Sequence, residues 1–115
     1  MAKDIASLLA EAMKREKLYM KPHLTLGELA ERLGTNRTYL SRYFNQSQHK
    51  TFFEYINAMR IKIAVDMLER TNYTLDVVAE KSGFNSLSTF RRAFVSTYDM
   101  SPSVYRRQNK KKGKS

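Results

Sequence analysis

The sequence predicts an all-α fold: two helix-turn-helix subdomains joined by a long connecting helix. Three observations carry that expectation. Glycine and proline number only four and two in 115 residues, so few positions break a helix. Apolar residues recur every three or four positions, without the two-residue alternation of strands. One pattern also occurs twice, about 49 residues apart. Its first copy is Thr25-Leu26, Ala30-Glu31, Gly34, then Leu40-Ser41-Arg42-Tyr43-Phe44. Its second is Thr74-Leu75, Ala79-Glu80, Gly83, then Phe90-Arg91-Arg92-Ala93-Phe94. The copies register without a gap as far as the glycine; one extra residue after Gly83 then brings Arg92 onto Arg42. Helix, glycine-containing turn and helix is the layout that places one helix in a DNA groove.

The first helix is expected over residues 4–19, with Ile5, Leu8, Leu9 and Ala12 as its apolar stripe and Glu11 and Arg15 paired one turn apart. Pro22 favours an extended lead into the next helix. There Thr25 is the cap, and Glu28 completes a capping box ahead of Leu29, Ala30 and Leu33. Gly34 permits the left-handed turn that ends it. Asn36, or Thr35 before it, can cap the following helix, whose inward residues are Leu40, Tyr43 and Phe44.

A long helix is expected over residues 51–68, about 27 Å at 1.5 Å per residue. Its stripe is Phe52, Tyr55, Ile56, Met59, Ile63, Ala64 and Met67. Arg70, Thr71, Asn72 and Tyr73 form the loop that leaves it. The second unit opens at Thr74, with Asp76 placed well for a helix N-terminus and Val77 where a capping-box glutamate would stand. Leu75, Val78 and Ala79 face inward, Gly83 turns the chain, and Asn85 or Ser86 caps a helix that buries Phe90 and Phe94. Ser101-Pro102 is a cap followed by proline at the first helical position, opening a short last helix through Val104 and Tyr105. Beyond Gln108 the chain is expected to be disordered.

Composition narrows the function. Cysteine is absent, which excludes disulfides and thiolate metal sites and suits a reducing, cytoplasmic setting. No apolar run is long enough for a membrane span, and the N-terminus lacks a signal-peptide core. The net charge is +10, unevenly spread: residues 1–34 hold six Lys/Arg against five Asp/Glu, and residues 35–115 hold fifteen against six. Such a balance favours polyanions, nucleic acid or an acidic surface alike. Arg106, Arg107, Lys110, Lys111, Lys112 and Lys114 concentrate charge at the tail, as a solubilising end or a DNA-contacting arm. His23 and His49 each stand alone. No metal-ligand cluster, phosphate-cradling loop or nucleophile–base pair is visible, so neither an enzyme nor a cofactor is expected.

With the apolar residues turned inward, the second helix of each unit presents a polar face. In the first unit the outward set is Asn36, Arg37, Thr38, Ser41 and Arg42. In the second it is Ser86, Leu87, Ser88, Thr89, Arg91 and Arg92. Arginine forks onto guanine, asparagine onto adenine, Ser and Thr onto many base edges, and a leucine touches a thymine methyl. The helix starts at Thr25 and Thr74, together with Lys50, are candidates for positioning phosphates. Lys50, Arg60 and Lys62 stay open between DNA contact and simple surface charge. Asn36, Asn85 and Ser86 can serve as caps whether or not they touch DNA.

The second half resembles the signature of AraC/XylS-type transcription regulators. The matching residues are Gly83-Phe84-Asn85-Ser86, then Phe90-Arg91-Arg92-Ala93-Phe94, then Met100-Ser101-Pro102-Ser103-Val104-Tyr105-Arg106. Ala30, Gly34, Leu40-Ser41-Arg42 and Phe44 resemble the same domain's first unit. Phe53, Tyr55-Ile56-Asn57, Arg60, Ala64 and Leu68 resemble its connecting helix. The likeness covers about residues 22–108. It departs at His49 and Asp99, where the family usually has glycine and the backbone must turn tightly.

The resemblance implies homeodomain-like units in tandem and sequence-specific binding of double-stranded DNA for transcription regulation. The two recognition helices would then address successive major-groove segments, with the aligned positions Thr38/Ser88 and Arg42/Arg92 facing bases. Other partners it raises are RNA polymerase and a sensor domain elsewhere in a longer protein; no membrane contact is expected. A second reading is a protein-interaction module in which one unit has left DNA and docks a partner through an exposed Leu87. The chain accordingly divides into an N-terminal helix and linker (1–21), a first helix-turn-helix subdomain (22–50), a connecting helix (51–70), a second subdomain (71–108) and a basic disordered tail (109–115).

Overall fold

The computed structural model describes residues 4–48 and 50–110. The chain divides into two compact units, Met1–Asn57 and Ala58–Ser115. Among the described residues all regular structure is helical.

In the first unit α1 (Ile5–Glu16) is capped by Asp4, whose carboxylate accepts the Ser7 N–H at 2.7 Å. The helix stops at Glu16 rather than Tyr19, because Lys17 is left-handed (φ 49°) and turns Leu18 into the core. Leu9, Ala12 and Met13 are buried, while Ile5 and Leu8 are only half-buried. The Glu11–Arg15 pair forms at 3.6 Å.

α2 (Leu26–Arg32) begins with the expected capping box: Thr25 Oγ1 accepts the Glu28 N–H at 3.1 Å, and Glu28 Oε1 accepts the Thr25 N–H at 2.9 Å. It ends in a Schellman turn. Gly34 sits at φ 76° and donates to the Glu31 carbonyl, while Thr35 reaches back to Ala30.

α3 (Arg37–Tyr43) is capped by Asn36, which settles the choice against Thr35. Leu40 and Phe44 are fully buried. The helix then runs into one π-helical turn, Phe44–Gln48, that the sequence did not suggest. Phe44 packs there against Tyr43, Phe52 and Tyr55 at ring distances of 5.7, 6.1 and 5.1 Å. His49, one of the two departures from the family pattern, lies outside the described residues.

α4 (Phe52–Arg70) starts on a second capping box, Thr51 with Glu54, and runs two residues beyond the expected end. Its buried positions differ from the single stripe drawn above. Phe52 and Ile56 serve the first unit's core; Ile61, Ala64 and Leu68 serve the second's, leaving Ile63 and Met67 half-buried. Arg60 is a further correction. It is 7% exposed, with its guanidinium 5.7 Å from the centre of the Phe84 ring, and so is no surface charge.

The second unit's α5 (Leu75–Lys81) is capped by Thr74 at 3.3 Å from Val77 N. Its C-terminus repeats the first unit's turn bond for bond: Gly83 (φ 101°) donates to Glu80 and Phe84 to Ala79. The extra residue of this copy is therefore not in the turn. It follows the turn, as Asn85, ahead of the Ser86 cap of α6 (Leu87–Tyr98). Phe84, Phe90 and Phe94 are buried at ring distances of 5.4 and 5.9 Å. Asp99 takes up the left-handed conformation (φ 57°) that ends α6.

α7 (Pro102–Asn109) opens on Ser101 with proline at its first position, as expected. It also holds the end of α4. Tyr105 donates its phenol to Glu69 at 2.6 Å, and Arg106 donates to the carbonyls of Leu68 and Tyr73 at 3.1 and 2.7 Å. Lys110 reaches the Thr71 carbonyl and, at 2.6 Å, Asn72 Oδ1. Asn109 and Lys110 thus belong to the folded unit and not to a disordered tail; residues 111–115 of that expected tail lie outside the described residues.

Candidate nucleic-acid interface

The polar face of α3 exists because Leu40 and Phe44 anchor the opposite side. Arg37, Thr38 and Arg42 are exposed and Ser41 half-exposed, spaced so that all four share one surface. They line an open groove of about 620 Å³ together with Leu26, Asn45 and Gln46. Asn45 and Gln46 were not read from the sequence as site residues. The π turn carries them onto this surface, and a polar run after a helix gives no sign of such a turn. The Arg37 stem rests over Gly27 in the first turn of α2: a Cβ built at Gly27 would lie 3.4 Å from Arg37 Cδ.

Asn36 is exposed, and its side-chain oxygen accepts the Tyr39 N–H at 2.9 Å, so its cap role is filled. Lys50 is half-exposed and lies outside the groove.

On α6 Ser88, Arg91 and Arg92 of the predicted set are exposed, with Ser86 at the cap. Ser86 Oγ accepts the Thr89 N–H at 3.1 Å and bonds Thr89 Oγ1 at 3.0 Å, so the two hydroxyls occupy each other and Thr89 is half-buried. Leu87 is a correction. It is packed against the second unit's core and is not an exposed contact. Ser88 and Arg92 stand four residues apart, as Thr38 and Arg42 do in the first unit.

The electrostatics are simple. None of Arg37, Arg42, Arg91 and Arg92 meets a carboxylate among the described residues, so their charge is uncommitted. The Thr25 amide, one candidate for holding phosphate, is already taken by Glu28. Thr74 has Val77 in place of that glutamate and lacks such a partner. Arg106 and Lys110, counted in the basic tail, are instead turned onto the chain itself, Arg106 through Nε and one Nη onto backbone carbonyls and Lys110 onto the Thr71 carbonyl and Asn72 Oδ1. Among the described residues no group of acidic, histidine or cysteine side chains could hold a metal ion.

A family model described as a helix-turn-helix domain matches residues 29–108. The HTH-type transcriptional regulator YobQ of Bacillus subtilis is 39% identical over 83 residues, covering 72% of this chain and 34% of that protein. The HTH-type transcriptional regulator AlkR of Acinetobacter baylyi is 27% identical over 101 residues, covering 88% and 33%. The chain thus spans about a third of the length of these curated relatives. Among solved structures, the C-terminal domain of AraT, a response regulator from Geobacillus stearothermophilus, superposes with a TM-score of 0.84 at 25% identity, covering 98% of this chain and 94% of that one. The DNA-binding domain of the global transcriptional factor AdpA, solved with a target DNA, gives 0.77 at 27% identity, covering 90% and 89%.

Proposed function

The chain belongs to the family of AraC-type helix-turn-helix regulators, and from that premise we propose that it binds double-stranded DNA in a sequence-specific way, each unit reading a major-groove segment with its second helix. The family is one of DNA-binding transcription regulators rather than enzymes. One observation carries the assignment of the reading faces. Thr38 with Arg42 on α3, and Ser88 with Arg92 on α6, are aligned, outward-facing pairs whose arginines meet no carboxylate among the described residues.

Arg42 and Arg92 read guanine edges through their forked donors; Thr38 and Ser88 contact neighbouring edges. Arg37, Ser41, Asn45, Gln46 and Arg91 flank these pairs and reach phosphate or base according to sequence. Asn36, Ser86 and Thr89 contribute mainly by capping and orienting the helices. Regulation of transcription, in the cytoplasm of a bacterial cell, is the setting for this activity; no helix among the described residues is long and apolar enough to cross a membrane. The docking reading loses its motive, since Leu87 packs inward.

Selection of bound duplexes from a random pool tests the proposal. A defined motif should emerge, and Arg42→Ala or Arg92→Ala should each weaken binding by about 1–3 kcal/mol and relax preference at one base pair. Unchanged preference in both variants would overturn the reading faces.

A further inference from the structure

The first unit holds a cleft between α1 and α3 that adjoins the reading groove and shares Arg42 and Gln46 with it. It encloses about 650 Å³, the size of a small-molecule site. Ile5 and Leu8 of α1 form one wall; Leu33, Tyr39 and Tyr43 form the other. The α1 wall stands outside residues 29–108 that the family model matches.

Two charged side chains reach the cleft, Asp4 and Arg42. Asp4 is committed as the cap of α1, accepting the Ser7 N–H at 2.7 Å, and that bond holds its carboxyl below the usual range. Arg42 has no carboxylate partner among the described residues, and it lines the reading groove as well as the cleft. A molecule lodged here therefore meets apolar and aromatic walls and one uncommitted guanidinium. A cation would face that charge unshielded. A neutral molecule would forgo the charge-assisted bond, which is worth roughly twice a neutral one.

We propose that this cleft binds a small amphipathic anion, an aromatic or short alkyl carboxylate, with its body between α1 and the two tyrosines and its charge on Arg42. One guanidinium cannot serve the anion and a base edge together, so the bound anion weakens DNA binding, and DNA weakens the anion by the same factor. This second part rests on the assignment of Arg42 to the reading face; the first part does not.

The probe is 2-naphthoate, titrated into the free chain and followed residue by residue by NMR, with 2-naphthol as its neutral counterpart. Saturable shifts are expected at Ile5, Leu8, Tyr39, Arg42 and Tyr43. Naphthol should bind about tenfold more weakly or worse, and Arg42→Gln should weaken naphthoate similarly. Ala6→Trp sets a bulky neutral ring on the exposed lip of the cleft, with no charge to meet Arg42. It should abolish naphthoate binding while leaving DNA affinity unchanged. In the wild-type chain saturating naphthoate should weaken DNA binding at least about fivefold, and in Ala6→Trp it should have no effect. Shifts scattered over both units, or equal binding by Arg42→Gln, would overturn the site. Tight naphthoate binding with undiminished DNA affinity would keep the cleft and remove its coupling to Arg42.

Discussion

Arg42 and Arg92 have the same local setting, yet their neighbours differ in kind. One position before Thr38 stands Arg37, stretched over Gly27; at the aligned position Leu87 is packed into the core. Each face thus carries two arginines, but spaced differently: Arg37 and Arg42 on the first helix, the adjacent Arg91 and Arg92 on the second. Arg42→Lys should separate the two tasks of a reading arginine. The charge stays, so the salt dependence of binding changes little, but the bidentate fork is lost and guanine preference at one position falls. Binding measured at several salt concentrations against the selected site and its point variants checks this. The glycines split in the opposite sense. Gly34 is left-handed, so Gly34→Ala should cost about 1–2 kcal/mol although nothing crowds the site. Gly27 is helical and its added methyl would make only ordinary contact, so Gly27→Ala should stabilise the chain by about 0.4–1 kcal/mol. Urea unfolding of the two variants should therefore move in opposite directions.

Each helix-turn-helix element is closed at both ends by local chemistry, and this is the part most legible in the sequence. Thr25 with Glu28, Gly34, Gly83 and Ser101-Pro102 were all visible, because a cap or a Schellman turn involves residues three to five apart. Thr51 with Glu54 carries the same signature at the start of α4. The C-terminal end of α4 is closed differently, by side chains of α7. Arg106 bonds the carbonyls of Leu68 and Tyr73, which α4 and its loop leave without helical partners. Arg106→Ala should cost about 1–3 kcal/mol in unfolding measurements. Tyr105 adds a pH signature. Its bond to Glu69 and their mutual charge hold the phenol protonated up to about 12, above its ordinary value of 10.0. The unfolded chain gives up this proton first, so the stabilisation is complete below pH 10 and drains away between about 10 and 12. Thermal melts across that window should fall more steeply for the wild-type chain than for Tyr105→Phe.

For the molecule as a whole, the charge of +10 overstates what is free to meet DNA. Arg60 is buried against Phe84, and Arg106 and Lys110 hold backbone carbonyls. Deleting residues 111–115 should leave base preference and stability intact and lower the salt slope by no more than about 0.9 for each lysine removed. A deletion that also takes Lys110 should lower stability, and equal melts for the two truncations would refute its role. The repeated grammar, the caps and glycine turns of the two helix-turn-helix units and the outward arginines follow from the sequence alone, since they depend on neighbours within one or two turns. Tertiary structure decided the rest. It chose which positions of α4 enter each core, brought Asn45 and Gln46 beside Arg42 through a π turn, drew Leu87 inward, and turned a basic tail into a clasp. Every bond of that clasp joins residues at least 33 positions apart, and no periodicity in a single helix records a partner so distant.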